Sequence, residues 1–193
     1  MGLLIENILD LIEISGECNV KKELSAFSCP NNYEIEYFLK NNAIDFAKQK
    51  LSVTYIVRDE DDGSFLGYFT LGIKAVEVKK GSVSKNLEKR ISKYALFYES
   101  NNTYIFASYL LAQFGKNYAV DHGTRIDGIS LMDQVELIIH NIQHMIGVGL
   151  VYLDVEKDNY KAIDLYKKGN FTSFGERQSV SDKNEYNLMI KAI

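Results

Sequence analysis

The residues best suited to chemistry lie between Asp121 and Leu131, in the run DHGTRIDGISL. Two glycines, Gly123 and Gly128, stand there with Arg125 and Ser130, immediately before an apolar-periodic segment. A helix start presents unpaired N–H groups and about half a positive charge. Glycine lets an anion approach the backbone, and arginine adds a planar fork suited to phosphate. The chemistry this predicts is phosphate binding; the alternative is a glycine turn leading into a capped helix, with Ser130 and Asp133 as a capping box that uses Asp for Glu. His122 lies in the same loop, either solvated or turned to phosphate or substrate. His140 and His144 are four apart on the following helix, a spacing that can offer two ligands to a metal. No carboxylate stands out as a third ligand, so no metal is expected. A second polar feature is the basic run Lys79–Lys93. It holds Lys79, Lys80, Lys85, Lys89, Arg90 and Lys93 against the single acid Glu88. Such a run serves either as an arm for an RNA backbone or as a solvated helix face.

The elements that must position these groups follow from periodicity. Residues 3–14 and 20–28 read as two short helices, and NYEIEYFLKNNAIDFAKQK as one amphipathic helix with a Lys-rich end. LSVTYIVRD is β-branched and aromatic, hence a strand; EDDG turns it into a second strand, SFLGYFTLGIKAVEV, with a bulge expected at Gly72. Residues 80–102 form a polar interlude with a helical middle, and TYIFASYLLAQFGKNYAV a long strand reaching Val120. In SLMDQVELIIHNIQHMIG, Leu131, Val135, Ile138, Ile142 and Met145 give a strong helix that Gly147 and Gly149 stop. LVYLDVE is a buried strand, NYKAIDLYKKGNF a short helix and YNLMIKAI a final strand. A loop and helix between two apolar strands make a right-handed crossover and a parallel pair. The earlier strands, joined by short turns, are antiparallel, so the fold class is mixed α/β with a mixed, mostly antiparallel sheet.

Composition bounds the rest. A chain of 193 residues with 46% hydrophobic residues supports one substantial core, so residues 1–193 are expected to form a single domain. A net charge of −4 excludes a general polycation. The two cysteines, Cys18 and Cys29, make neither a disulfide scaffold nor a metal-ligand spacing, which predicts reduced thiols in a cytoplasmic protein. The N-terminus has acids where a signal peptide needs bases, and no stretch reaches the roughly 18 apolar residues of a membrane span.

The run YAVDHGTRIDGISL resembles the acyl-CoA signature of the GNAT N-acetyltransferases: an apolar strand end, a short loop, then Q/R-x-x-G-x-G/A opening a helix. Arg125 takes the Q/R place, Gly128 the central glycine, Ser130 the last small residue, and Val120 the strand end. DNYKAIDLYKKGNF is similar to the family's Asn-x-x-Ala-x-x-Leu-Tyr segment, through Asn159, Ala162, Leu165, Tyr166 and Phe171. The first half, from AFSCPNNYEIEYFL to GYFTL, resembles a bacterial branch that includes tRNA-acetylating toxins of toxin–antitoxin pairs. Three positions depart from the pattern: Asp127 puts an acid in the loop, Ser130 replaces Gly or Ala, and Asn170 stands where Gly is usual.

The resemblance implies a GNAT fold, with residues 1–25 as an N-terminal extension and 80–102 as an inserted segment. It implies acetyl-CoA as cosubstrate and direct transfer of an acetyl group to a primary amine. Tyr118, Ala119 and Val120 then run beside the pantetheine arm, and the Val120 N–H meets the thioester carbonyl. Arg125, Ile126, Asp127, Gly128, Ile129 and Ser130 hold the pyrophosphate, with Asn159, Ala162 and Tyr166 completing the cofactor site. Tyr166 is the implied acid for the leaving thiolate. Tyr118, Asp121 and Glu156 are candidates for a general base. The acceptor stays open among aminoacyl-tRNA, held by the Lys79–Lys93 segment, a protein amine and a small molecule. YALFYESNNTYIF is expected at an acceptor pocket or a homodimer face. The alternative is a CoA-binding or protein-interaction module that keeps the fold and catalyses little.

Overall fold

The first apolar run divides at Asn7. In the computed structural model, which describes residues 2–179 and 184–193, Leu3–Asn7 form strand β1 and Ile8–Ser15 helix α1. The expected helix over 3–14 is therefore corrected. The Asn7 side chain accepts the Leu9 N–H at 2.9 Å, so a cap sets the helix start rather than the apolar pattern. Helix α2 spans Glu17–Leu24. The long helix expected next is two, α3 at Tyr33–Asn41 and α4 at Ala43–Lys48, and Asn41 and Asn42 lie at their junction. Asparagine is a poor helix former in the interior, because its amide competes for backbone groups. Strands β2 (Ser52–Asp59) and β3 (Phe65–Lys79) fall where predicted. They are followed by α5 (Lys85–Ile91), β4 (Leu96–Tyr98), β5 (Thr103–Lys116), α6 (Gly128–Ile146), β6 (Leu150–Glu156), α7 (Tyr160–Lys168), β7 (Thr172–Gln178) and β8 (Glu185–Ala192).

Hydrogen bonding orders the strands β1-β2-β3-β5-β6-β8-β7, with β4 paired to β5 off this path. The β5–β6 pair is parallel, with Tyr109 opposite Val151 and Leu110 opposite Tyr152, while β1–β2, β2–β3, β4–β5, β6–β8 and β7–β8 are antiparallel. The sheet is mixed, as the crossover argument requires. The bulge lies elsewhere than Gly72, which pairs regularly with Ser52. It falls where Val57 opposes Gly67 and Arg58 opposes Phe65, leaving Leu66 as the extra residue.

The chain divides into two compact units. One comprises the residues up to Gly72 with Leu111–Leu137, the other Ile73–Leu110 with Ile138–Ile193. In the first, β1 pairs with β2 from Leu3 opposite Asp59 to Asn7 opposite Tyr55, and α1 and α2 bury Ile8, Val20 and Leu24 in a core with Phe27, Leu39 and Tyr68. The N-terminal segment is thus built into this unit's sheet and core. Gly115 is required there by close approach: a Cβ on it would stand 2.6 Å from Ile35 Cγ2. The second unit packs Val76, Leu87, Ile91, Phe106, Tyr152 and Ile190. Strand β7 was not expected from the sequence. It is polar and mostly exposed, so it carries no alternating signal.

Candidate functional site

Strand β5 ends at Lys116, four residues short of the expected Val120, and Asn117 is the reason. Its buried amide replaces the ladder. Oδ1 accepts the Ser28 and Ala119 N–H groups, both at 3.0 Å, and Nδ2 donates to the Phe65 carbonyl at 2.9 Å. The Asn117 N–H donates at 2.8 Å to the carbonyl of Leu66, the bulged residue of β3. Tyr118 then donates to the Ser28 carbonyl at 2.8 Å. Residues 118–120 therefore form a braced turn, a correction to the strand expected there.

Val120 is extended (φ −102°, ψ 112°), and its carbonyl accepts the Gly123 N–H at 2.9 Å. Among the described residues its own N–H meets no intramolecular acceptor. Asp121–Gly123 make one 3₁₀ turn in which three successive residues are left-handed: Asp121 (φ 45°), His122 (φ 53°) and Gly123 (φ 71°). That conformation costs roughly 1–2 kcal/mol for a residue bearing a Cβ. The turn is held by local bonds: Lys116 Nζ donates to the Gly123 carbonyl at 2.7 Å and the Thr124 hydroxyl to the Asp121 carbonyl at 2.7 Å. Gly123 needs its freedom, since a Cβ would also meet the Tyr118 ring at 3.0 Å. His122 and Asp121 are exposed.

The Arg125 guanidinium reaches the β2–β3 turn. Nη1 donates to Asp62 at 2.8 Å and to the Ser64 hydroxyl at 2.9 Å, and Nη2 pairs with the buried Asp59. Arg125 holds the Asp62 carboxyl well below the usual carboxylate range, with help from Ser64. Ile126 is buried beneath the loop. Helix α6 begins at Gly128, two residues earlier than the sequence suggests, and Asp127 is its cap. The Asp127 carboxylate accepts the Ser130 N–H at 2.7 Å. The expected Ser130–Asp133 box is replaced by Asp127–Ser130. The Ser130 N–H, then its hydroxyl, lower the Asp127 carboxyl. Ile129 is exposed and Gly128 half-buried at the helix start.

In the second unit, Asn159 caps α7 by accepting the Ala162 N–H at 3.2 Å. Tyr166 is half-buried on that helix, 5.9 Å from the Phe171 ring between centroids. Burial, then the negative charge of Asp154, push its phenol above the ordinary tyrosine range. Asp154 accepts Arg177 Nε and Nη2 at 2.9 and 2.7 Å, and the Tyr152 hydroxyl at 3.4 Å. Asn170 takes φ 65°, so it supplies the left-handed residue that the inverted Gly-Asn order needs. Glu156 accepts the Asn184 amide at 3.2 Å. His140 and His144 face each other with Nε2 atoms 3.2 Å apart, and the described residues hold no cluster of three or more metal-ligating His, Cys, Asp or Glu. Cys18 and Cys29 are unpaired. No helix of the described residues is long and apolar enough to cross a membrane.

The first unit thus gathers Tyr118, Ala119, Val120 and Arg125–Ser130 around one loop, and the second holds Asn159, Ala162 and Tyr166 on one helix. Sequence reasoning missed Asn117, Asp59 and Asp154. Only Asn117 carried a local signal, as an asparagine closing an apolar strand run.

No family model matches the chain and no curated protein matches its sequence. Solved structures do match its fold. AtaT complexed with acetyl-methionyl-tRNAfMet is 19% identical, with 96% of this chain and 94% of that chain covered and a TM-score of 0.63. A tyrosine-to-phenylalanine mutant of KacT is 20% identical over 100% and 95%, at 0.66. AtaTR bound with AcCoA is 17% identical over 98% and 92%, at 0.55. The likeness is one of architecture: this chain has a GNAT-like fold, shared with the AtaT and KacT structures.

Proposed function

We infer that the chain is an acetyl-CoA-dependent N-acetyltransferase acting on a primary amine. The observation that carries the reading is the loop from Val120 to Ser130: a turn held in left-handed backbone that delivers the chain to the start of a 19-residue helix. A helix start preceded by a glycine-containing turn suits a pyrophosphate. Tyr118–Val120 lie along the pantetheine arm, Arg125–Ser130 hold the pyrophosphate, and Asn159 and Ala162 are the cofactor-binding residues proposed in the second unit. The Val120 N–H faces the oxygen that becomes negative when the amine nitrogen attacks the thioester carbon. One such donor is worth about 2.7–4 kcal/mol of barrier. As the C–S bond breaks, Tyr166 gives its phenolic proton to the sulfur. The surplus proton on the new amide nitrogen leaves to solvent or to Tyr118, Asp121 or Glu156.

Among acceptors, aminoacyl-tRNA is favoured by the basic run on α5 and by the AtaT complex with an acetylated aminoacyl-tRNA. The likeness to an AtaT mutant toxin bound to the C-terminus of the antitoxin AtaR supports extending the reading to a toxin role with an antitoxin partner, with the cytoplasm as the expected compartment. One observation favours the second reading, a CoA-binding module of little activity: the Asp127 carboxylate already occupies the Ser130 N–H.

Calorimetric titration with acetyl-CoA, beside CoA and 3′-dephospho-CoA, tests the reading. Gly128→Glu crowds and repels the pyrophosphate, so micromolar binding is expected in the wild type and none in the variant. Equal affinity of the two proteins would refute the loop assignment.

A further inference from the structure

Arg125 has the strongest chemical claim on a phosphate, yet its fork is filled. Asp59 closes β2 with its side chain 3% exposed, and one oxygen accepts the Asp61 N–H at 3.0 Å while the other pairs with Arg125. Asp62 and the Ser64 hydroxyl take the remaining face of the guanidinium at 2.8 and 2.9 Å. The socket is rigid on its own account. The Asp59 N–H donates to the Ser64 carbonyl at 3.0 Å, the Gly63 N–H to the Asp59 carbonyl at 2.9 Å, and the Ser64 N–H to Asp62 at 2.9 Å. Asp121 in the loop itself lies 3.8 Å from Arg125 Nε, but the hydrogen bonds go to the turn, and a planar guanidinium bonded to two carboxylates and a hydroxyl there is a directional tie. Drawing it off to an anion strands the Asp59 charge in near-complete burial, which is the costly way to break an ion pair.

We propose that Asp59 is a positioning residue for the cofactor loop: through Arg125 it pins the start of α6 to the β2–β3 turn, and the diphosphate is met by loop backbone rather than by the Arg125 guanidinium. The inference rests on the acetyl-CoA reading above. It inverts the obvious expectation for a mutation, because removing an acid beside a phosphate site normally tightens anion binding.

The test is calorimetric titration of CoA into the full-length wild type, Asp59→Asn, Arg125→Gln and the double variant, with melting temperatures beside them. Asp59→Asn is expected to weaken CoA about tenfold although it frees a cation, and Arg125→Gln to weaken it at least as much. The double variant loses that same single tie, so it is expected to bind CoA no more weakly than Arg125→Gln alone, the two losses failing to add. Tighter or unchanged binding in Asp59→Asn, or losses that add in the double variant, overturns the proposal. If Asp59→Asn does not fold, Asp62→Ala with Ser64→Ala removes two of the three partners from the turn and is expected to weaken CoA by about threefold. Unchanged affinity there overturns it equally. Failure of the wild type itself to bind CoA is a different result and removes the acetyl-CoA reading.

Discussion

Tyr166 is a weak acid made weaker, which is what a proton donor to a thiolate needs if it is to stay loaded. Its ordinary value is about 10. Burial and the Asp154 charge both disfavour the phenolate, so the folded value lies higher and the phenol is protonated throughout the neutral range. The sign gives a clear expectation. Turnover at saturating substrate has no alkaline decline from Tyr166 up to about pH 10. Asp154→Asn removes one of the two causes and moves that decline to lower pH. Tyr166→Phe lowers kcat by about 10²–10⁴-fold and leaves the acetyl-CoA affinity within a factor of about two. A kcat that survives the substitution would exclude Tyr166 as the acid, and a lost affinity would make it a binding residue. Steady-state kinetics across pH, with calorimetry, separates the three.

The element that decides the loop's position is the end of β5, and there a single amide does the work of a strand ladder. Asn117→Ala leaves the Ser28 and Ala119 N–H groups and the Phe65 carbonyl without their partner. Buried orphaned groups cost about 1–3 kcal/mol. The variant should therefore lose about 2–3 kcal/mol in urea unfolding, and its acetyl-CoA affinity should fall with the braced turn that carries Val120. Wild-type stability would mean that water replaces the amide. This junction also marks the limit of legibility. Strands β2, β3, β6 and β8 and helix α6 are written in local periodicity, and the phosphate-type loop in a local pattern of Gly, Arg and Ser. Strand β1 hid in an apolar run that suits helix and strand alike, and β7 is too polar to signal at all. The hydrogen-bond partners of Arg125 lie 61 to 66 residues away in sequence, where no spacing rule reaches. The sequence points to Ser130 as the cap with Asp133 completing its box, whereas the chain uses Asp127.

At the scale of the whole molecule the question is how a chain of net charge −4 would hold a polyanion. Exposed charges more than about 8–10 Å apart are largely screened at physiological salt, so a local surface outweighs the sum. Helix α5 offers such a surface. It buries Leu87 and Ile91, and it exposes Lys85 and Lys89 with Arg90 half-exposed beside them. The one acid of the run is engaged inside the protein: Glu88 accepts the Gly81 N–H at 2.8 Å and the Tyr104 hydroxyl at 3.4 Å. Lys80 sits over the Phe97 ring at 5.1 Å, next to the exposed aromatics of β4. If aminoacyl-tRNA is the acceptor and lies on this face, the affinity must fall with salt as phosphates release counterions. Charge reversal at Lys85, Lys89 and Arg90 should flatten the log–log salt dependence by about 2–3 and raise KM for aminoacyl-tRNA by about tenfold or more. The acetyl-CoA affinity should stay fixed, because none of the three residues belongs to the cofactor loop. A salt slope untouched by the reversal would remove α5 from the acceptor path. Should the wild type acetylate a small amine with no salt dependence while leaving aminoacyl-tRNA unmodified, the basic run would be a solvated helix face and the acceptor a small molecule.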